Sequence, residues 1–180
     1  TEHSVVLSDG KEHPVDLVVV GIGVKPSVDL AESAGLELGD GIRVDERLRT
    51  SDASIFAAGD VANYPEPTTG ERARVEHWVL AERQARIAAL NMMGGDLESS
   101  EPPFFWSSHY DLTLAFTGRS TRSSRREIVG SIEGRDCAVI YRSGDRVTAV
   151  ATIGRDRQAL LIEDAMKRKD FEEAERLALS

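Results

Sequence analysis

Residues 50–60, TSDASIFAAGD, decide the fold class of this chain. The stretch has the pattern of a short buried strand that ends on Gly59 and Asp60, ahead of a polar loop and a long helix. In an α/β fold, ligands bind at the carboxyl end of such strands. Gly59 leaves room for a ligand, Asp60 can accept hydrogen bonds from ligand hydroxyls, and the amides from Val61 onward can face a phosphate. On these residues alone, a turn at Gly59 with a helix cap at Asp60 stays open as the alternative.

The composition indicates a globular protein whose partner is neither nucleic acid nor membrane. The chain has 180 residues, of which 41% are hydrophobic and 29% charged, and its formal net charge is -9. A negative chain matches phosphate backbones poorly, and no apolar run approaches the roughly 20 residues of a membrane helix. The single cysteine, Cys137, excludes an internal disulfide and favours the cytoplasm. Because the chain opens on Thr1 without methionine, in a strand-like stretch, we expect a piece of a longer protein.

The first hundred residues alternate strand and helix patterns, which predicts an α/β arrangement. Asp9-Gly10 marks a hairpin, and the run Leu17–Val20 is apolar on both faces, as in a central strand covered on two sides. Another strand is expected after residue 41, and residues 61–73 are expected to be a loop. The predicted helices are 27–35, closed by Gly35, and 74–93, stopped by Gly94-Gly95.

A change of composition near residue 100, at DLESSEPPF, indicates a domain boundary. Beyond it, strand patterns are followed by helix patterns. This order predicts an α+β domain with a four-stranded antiparallel sheet and two helices. The predicted strands are 112–117, 125–132, 136–142 and 146–152, and the predicted helices are 155–168 and 170–179.

Two motifs resemble the pyridine nucleotide-disulfide oxidoreductase superfamily. TSDASIFAAGDVA (50–62) is similar to its second flavin-binding motif, and DLVVVGIGVKP (16–26) is similar to the strand and turn that lead from the NAD domain back to the FAD domain. The resemblance implies that Asp60 holds the ribityl chain of FAD. It also implies three regions: the end of the NAD(P)-binding domain at 1–24, the second half of the FAD-binding domain at 25–99 and the C-terminal reductase domain at 100–180.

The helix pattern carries a third motif, RARVEHWVLAERQA (72–85). It resembles the ferredoxin reductases of oxygenase systems. The resemblance implies that the backbone near Trp78 and Val79 contacts the isoalloxazine, with the Trp78 ring beside the nicotinamide site. A helix N-terminus there would stabilise the negative charge of reduced flavin. On the residues alone, Trp78 could equally pack in the core, and His77 is expected on the helix surface. The matching residues are Arg74, Glu76, Trp78, Ala81 and Gln84.

PPFFWSSHYDL (102–112) resembles the signature that opens the C-terminal domain of oxygenase-coupled ferredoxin reductases. The resemblance implies that Trp106 lies near the flavin. Ser108 and His109 stand where the signature has an acid and a glutamine. His109 could contact the flavin edge, titrate near neutral pH or be a solvated substitution. The matching residues are Phe105, Trp106, Ser107, Tyr110 and Asp111.

The chain contains no G-x-G-x-x-G loop, because the third glycine position after Gly21 and Gly23 is Pro26. In the superfamily both such loops, one for FAD and one for NAD(P)H, precede the region that this chain resembles. We therefore expect the chain alone to lack both pyrophosphate sites and to be inactive.

Residues 119–146 hold seven arginines and four acidic residues, a local charge of +3 in an acidic chain. The densest part, Arg119, Arg122, Arg125 and Arg126, is the candidate surface for docking an acidic ferredoxin. Ordinary solvated strand faces are the alternative explanation.

The resulting prediction is part of a flavoprotein that passes electrons from NAD(P)H through FAD to a ferredoxin-type iron–sulfur protein. No catalytic acid or base and no metal ligand is predicted. The alternative is a non-catalytic interaction or homodimerisation module of such a reductase, and flavin colour in the purified chain would distinguish the two. The candidate cofactor-binding residues are Gly59, Asp60, Val61, Glu76, Trp78, Val79 and Trp106.

Overall fold

A computed structural model describes residues 3–180, so Thr1 and Glu2, which open the predicted 1–24 region, lie outside the described residues. An N-terminal part with short strands and two helices precedes a C-terminal domain with one large sheet and two helices. The strands are β1 (Ser4–Val6), β2 (Glu12–Pro14), β3 (Leu38–Gly39), β4 (Gly41–Arg43), β5 (Ala62–Pro65), β6 (Arg72–Ala73), β7 (Phe104–His109), β8 (Leu112–Gly118), β9 (Arg125–Ser131), β10 (Asp136–Ser143) and β11 (Arg146–Ile153). The helices are α1 (Asp29–Ser33), α2 (Trp78–Met92), α3 (Asp156–Lys167) and α4 (Phe171–Leu179).

The apolar run Leu17–Val20 is not a buried strand, which corrects the prediction. Residues 15–28 form neither helix nor strand, and the four side chains of the run are between 55% and 86% exposed. The physical reason is the lack of neighbours: a central strand needs a strand on each side, and no strand within residues 3–180 pairs with this segment. The hairpin predicted at Asp9-Gly10 is confirmed, since β1 and β2 pair antiparallel.

A small sheet in the order β3-β4-β5-β6 positions the segment that contains Asp60. β4 and β5 are parallel and β6 is antiparallel to β5, so residues 61–73 are not the plain loop that was predicted. The prediction of a strand before Gly59 is also wrong, because this stretch forms only a single isolated bridge, between Arg49 and Phe56. The cause is a tight turn: the amide of Thr50 donates to the carbonyl of Ile55 at 2.9 Å.

Helix α2 begins at Trp78, four residues later than predicted. Arg72 and Ala73 belong to β6, and the backbone of His77 is extended. The helix buries Leu80 and Ala88 against the core of the N-terminal part. Other buried members of this core are Val44, Leu48, Ala57, Ala62, Tyr64 and Ala73.

The C-terminal sheet has five antiparallel strands, in the order β7-β8-β11-β10-β9, where four were predicted. The missed strand is β7, whose aromatic residues were interpreted only as a motif; all six of its residues pair with β8. The other four strands and both helices are confirmed. Helices α3 and α4 cover one face of the sheet and enclose an apolar core that includes Ala138, Ile140, Val147, Val150, Ile162 and Met166.

Candidate functional site

Gly59 opens a 3-10 turn over Gly59–Val61 that packs directly on α2. Its φ of +74° is in the left-handed region, and a Cβ at this position would lie 3.1 Å from the Cβ of Ala81. Its amide donates to Oε1 of the buried Gln84 at 2.8 Å. The space beside Gly59 is therefore filled by α2, and the glycine is required because turn and helix approach each other closely.

Asp60 projects from this turn with an exposed side chain. Its carbonyl oxygen accepts a hydrogen bond from Nη1 of Arg74 at 3.1 Å. Arg74 also forms ion pairs with Asp40 at 2.9 Å and with Glu76 at 2.7 Å. These bonds, first the one to Asp40, raise the pKa of Arg74. Arg74 thus holds the Asp60 turn against the segment that leads into α2, while Glu76 serves as a partner of Arg74.

The N-terminus of α2 lies beside the Asp60 turn, and no side chain caps its first amides. His77, the residue before the helix, forms no capping bond with its side chain, and the first turn contains no acid. The first amides of the helix can therefore face an electron-rich ligand. His77 is half-buried against Phe105, with ring centroids 4.3 Å apart, so it is not the plain surface residue that was expected. Burial lowers the pKa of His77, and the nearby Asp60 and Glu76 oppose this shift.

Trp78 and Trp106 form an edge-to-face pair with ring centroids 5.5 Å apart. Trp78 is 65% exposed and Trp106 47% exposed, so neither ring is a core residue. The structure thus brings the two predicted tryptophans together, although they are 28 residues apart in the numbering. They border a groove of about 380 Å³ between α2 and α3 that is also lined by Val79, Glu82, Arg83, Arg86, Phe104, Leu160 and Glu163.

Two arginines of α2 line this groove and differ in their environment. Arg83 is bound by Glu163 at 2.7 Å and Glu101 at 3.1 Å. Arg86 is exposed and has no carboxylate partner within residues 3–180. The sequence interpretation missed Arg86, although its spacing indicates the shared face: Trp78, Glu82 and Arg86 follow one another at steps of four residues.

The candidate docking arginines lie elsewhere. Arg125 and Arg126 are on β9, whereas Trp106 is on β7, and these strands are opposite edges of the sheet, roughly 19 Å apart. Arg126 pairs in register with Tyr141 and faces away from the helices, while the tryptophan groove is on the side of α3. None of Arg119, Arg122, Arg125 and Arg126 forms an ion pair with the residues that the structure describes.

Neither a membrane-spanning helix nor a metal-binding group is found in the described part of the chain. No helix in residues 3–180 has the length and apolar character needed to cross a membrane. In the same residues, no group of three His, Cys, Asp or Glu side chains could hold a metal ion.

Comparison with known proteins matches two families. Residues 1–85 match the pyridine nucleotide-disulphide oxidoreductase family and residues 104–179 the reductase C-terminal family. The anthranilate 1,2-dioxygenase system ferredoxin–NAD(+) reductase component of Burkholderia cepacia is 40% identical over 156 residues, 85% of this chain and 38% of that protein. The ferredoxin reductase of Rhodopseudomonas palustris gives a TM-score of 0.87 at 34% identity, over 98% of this chain and 44% of that one. The structure of the covalent putidaredoxin reductase–putidaredoxin complex gives a TM-score of 0.84 at 33% identity. This match covers 98% of this chain and 42% of that one.

These matches define the class of protein to which the chain is related, the pyridine nucleotide-disulphide oxidoreductases. The chain belongs to the pyridine nucleotide-disulphide oxidoreductase family, in the branch that carries a reductase C-terminal domain, as its motifs predicted. It spans about two-fifths of the length of these three relatives, from 38% to 44%. Members of this family use FAD and NAD(H).

Proposed function

We propose that this chain provides the flavin-facing and partner-facing surfaces of an FAD-dependent NAD(P)H:ferredoxin reductase. One observation carries the proposal: the Asp60 turn, the uncapped start of α2 and the exposed Trp78–Trp106 pair lie next to one another. In this proposal, residues 1–24 are the end of the NAD(P)-binding domain, 25–99 are the second half of the FAD-binding domain and 100–180 are the C-terminal reductase domain.

The residues present fit a flavin. The Asp60 carboxylate is exposed and would accept hydrogen bonds from the ribityl hydroxyls. The amides of Trp78 and Val79 would face the electron-rich edge of the isoalloxazine, with the helix dipole favouring its reduced state. The Trp78 and Trp106 rings would limit the access of water. When bound, FAD would accept a hydride from NAD(P)H and release the electrons singly to the iron–sulfur protein.

The groove beside the tryptophans is the proposed contact for that partner. It combines exposed aromatic surface with the unpaired Arg86, a composition typical of interface centres. In this proposal the arginines at 119–126 act at longer range, since an acidic partner would be steered by their field without touching them. The partner itself is supported by the complex of a related reductase with putidaredoxin.

The role of Asp60 can be tested by the flavin content of the full-length reductase that contains this chain. Asp60→Ala should lower the FAD retained per polypeptide, because the ribityl hydroxyls lose a charged acceptor worth about 1.5–3 kcal/mol. Asp29→Ala is the matched control, since Asp29 is also exposed but lies on α1. Equal flavin content in both variants would refute the assignment.

The 180-residue chain itself should bind FAD weakly or not at all, because neither G-x-G-x-x-G loop is in its sequence. Titration of flavin fluorescence measures this directly. Submicromolar affinity would mean that Asp60 and α2 hold the cofactor without the pyrophosphate loops.

A second function, a non-catalytic interaction or homodimerisation module, is favoured by one observation. The C-terminal domain encloses a core of its own between its sheet and α3 and α4. A colourless, folded protein that self-associates in sedimentation analysis would support this function. A yellow, monomeric protein would exclude it.

A further inference from the structure

A polar cleft of about 520 Å³ lies where the turn at residues 66–71 meets the C-terminal domain. All ten residues that line it are polar: seven carry hydroxyl groups, two are Arg122 and Arg146, and one is Glu71. Pockets for small organic ligands are usually lined mostly by apolar side chains. This lining therefore favours a polar ligand that forms hydrogen bonds over most of its surface.

The wall on the N-terminal side is fixed by a buried carboxylate. Glu66 is fully buried and accepts hydrogen bonds from the amides of Thr68 and Thr69, both at 2.9 Å. It also accepts one from the Thr69 hydroxyl at 2.7 Å. Because a buried carboxylate needs such partners, these bonds hold the turn in one conformation, in which the Thr69 hydroxyl donates to Glu66 and can only accept from a ligand.

The wall on the C-terminal side is a turn held by its own hydroxyls. The amide of Thr121 donates to Oγ of Ser124 at 3.0 Å, and the hydroxyl oxygens of Thr121 and Ser123 are 2.9 Å apart. Both walls are therefore shaped before any ligand enters, which reduces the entropy lost on binding.

The two arginines of the cleft form no ion pair with the residues that the structure describes. Arg122 and Arg146 have no carboxylate partner within residues 3–180, whereas Arg135, Arg142 and Arg155 of the same domain are all paired. The Arg146 guanidinium lies over the Phe171 ring at 4.4 Å, a contact that positions it while leaving its charge free. Two arginines against Glu71 give the ten lining residues a net charge of +1, and the carboxylate of Glu66, which is not among them, is bonded to the amides and the hydroxyl of its own turn.

We propose that this cleft binds the phosphate group of a phosphate monoester with a polar body. Arginine forks and hydroxyl donors match the oxygens of a phosphate. One water occupies only about 30 Å³ of liquid, so the cleft also has room for a hydroxylated organic part. The site joins the 66–71 turn to the C-terminal domain, and a ligand there stabilises the folded protein. This inference is independent of the flavin proposal.

The test is thermal unfolding of the 180-residue chain at constant ionic strength, in increasing glycerol 3-phosphate, inorganic phosphate or glycerol. Both phosphate compounds should raise the Tm, whereas glycerol at the same concentrations should not. Arg122→Gln should raise the half-saturating concentration about tenfold or more, because a charge-assisted bond is lost. Arg125→Gln is the matched control, since Arg125 is exposed nearby and lies outside the cleft.

The outcomes separate the possible sources of the phosphate. A larger effect of glycerol 3-phosphate supports the phosphate monoester, whereas a larger effect of inorganic phosphate overturns that ligand and assigns the free ion. No rise of Tm in the wild-type protein overturns the proposal, as does an equal rise in both variants. If no phosphate compound raises the Tm and Arg122→Gln slows ferredoxin reduction in the full-length reductase, the proposal is overturned in favour of protein docking.

Discussion

Leu17–Val20 and Val147–Val150 are similar in sequence but differ fully in environment. Both are short, mainly apolar runs rich in valine. Val147–Val150 belongs to β11, between β8 and β10, and its residues are at most 3% exposed. The side chains of Leu17–Val20 are at least 55% exposed, and the segment pairs with no strand of residues 3–180.

The difference shows that an apolar run indicates a segment suited to burial. Whether the segment is buried depends on the strands and helices that pack against it. In the C-terminal domain the sheet has helices packed on one face, so the apolar residues between them, such as Ile140 and Val150, are buried. The N-terminal part is enclosed only around α2 and the small sheet. The exposed run is an apolar surface that a stable soluble protein ordinarily covers.

The largest predicted effect comes from one substitution made in each region. Ile140→Ala should reduce the free energy of unfolding by about 2–5 kcal/mol, because Ile140 is fully buried and a cavity remains. Ile22→Ala should change it by no more than about 0.5 kcal/mol, because Ile22 is 90% exposed. Urea unfolding of the 180-residue chain measures both. Comparable losses would mean that residues 15–28 are buried in solution.

A smaller effect is predicted for Gly59→Ala, which tests whether the N-terminal part is well packed around α2. The positive φ alone costs about 1–2 kcal/mol for a residue with a Cβ. At Gly59 the new Cβ would also lie 3.1 Å from Ala81, whereas at Gly70, with φ +73°, it would meet nothing within 4 Å. Gly59→Ala should therefore be more destabilising than the control Gly70→Ala by about 1 kcal/mol. Equal losses in urea unfolding would count against close packing there.

The sequence predicted the C-terminal domain better than the N-terminal part for the same physical reason. Four of its strands and both helices followed from apolar patterns whose partners lie within the chain. β7 was missed because Phe104–His109 was interpreted only by its aromatic residues. In the N-terminal part, the pattern at Leu17–Val20 identified apolar character correctly, but burial depends on strands that residues 3–180 do not contain.

The sequence predicted the site residues that lie within one continuous motif. It did not predict the contacts between residues of different segments. Asp60 and Trp78 were found because each lies within a continuous motif. The contact of Trp78 with Trp106 is long-range and follows only from the packing of β7 against α2. Gln84 was noted as part of the motif, but its bond to the Gly59 amide depends on how the turn meets the helix.

Charge reversal in the tryptophan groove and on the β9 edge of the sheet should have different, moderate effects on electron transfer in the full-length reductase. Arg86→Glu places a negative charge in the tryptophan groove and should slow ferredoxin reduction several-fold through loss of direct contact. Arg126→Glu should slow it less and only at low salt, since its action is long-range steering. Stopped-flow rates at two ionic strengths measure this. A larger effect of Arg126→Glu would place the docking surface at β9.

The smallest predicted effect is a pH dependence of the free energy of unfolding that arises from an ion pair in the C-terminal domain. Arg142 donates to Glu175 at 2.7 Å, and this bond lowers the pKa of the Glu175 carboxyl. A lowered pKa in the folded state means that the pair stabilises the fold above the ordinary glutamate pKa of about 4.3. This stabilisation is lost as the pH falls below that value and through the lowered pKa of Glu175. Because Glu175 is one-third exposed, the contribution should be no more than about 1 kcal/mol.

Glu175→Gln should remove this part of the acid sensitivity, so the difference from the wild-type protein in urea unfolding should be clear at neutral pH and should shrink as the pH falls below the ordinary glutamate pKa. Glu82→Gln is the control, since Glu82 is exposed and forms no ion pair with the described residues. If the Glu175 variant kept the full pH dependence of the wild-type protein, other carboxylates would be responsible. Burial of Arg142 would then be balanced by its second partner, Glu127, at 3.2 Å.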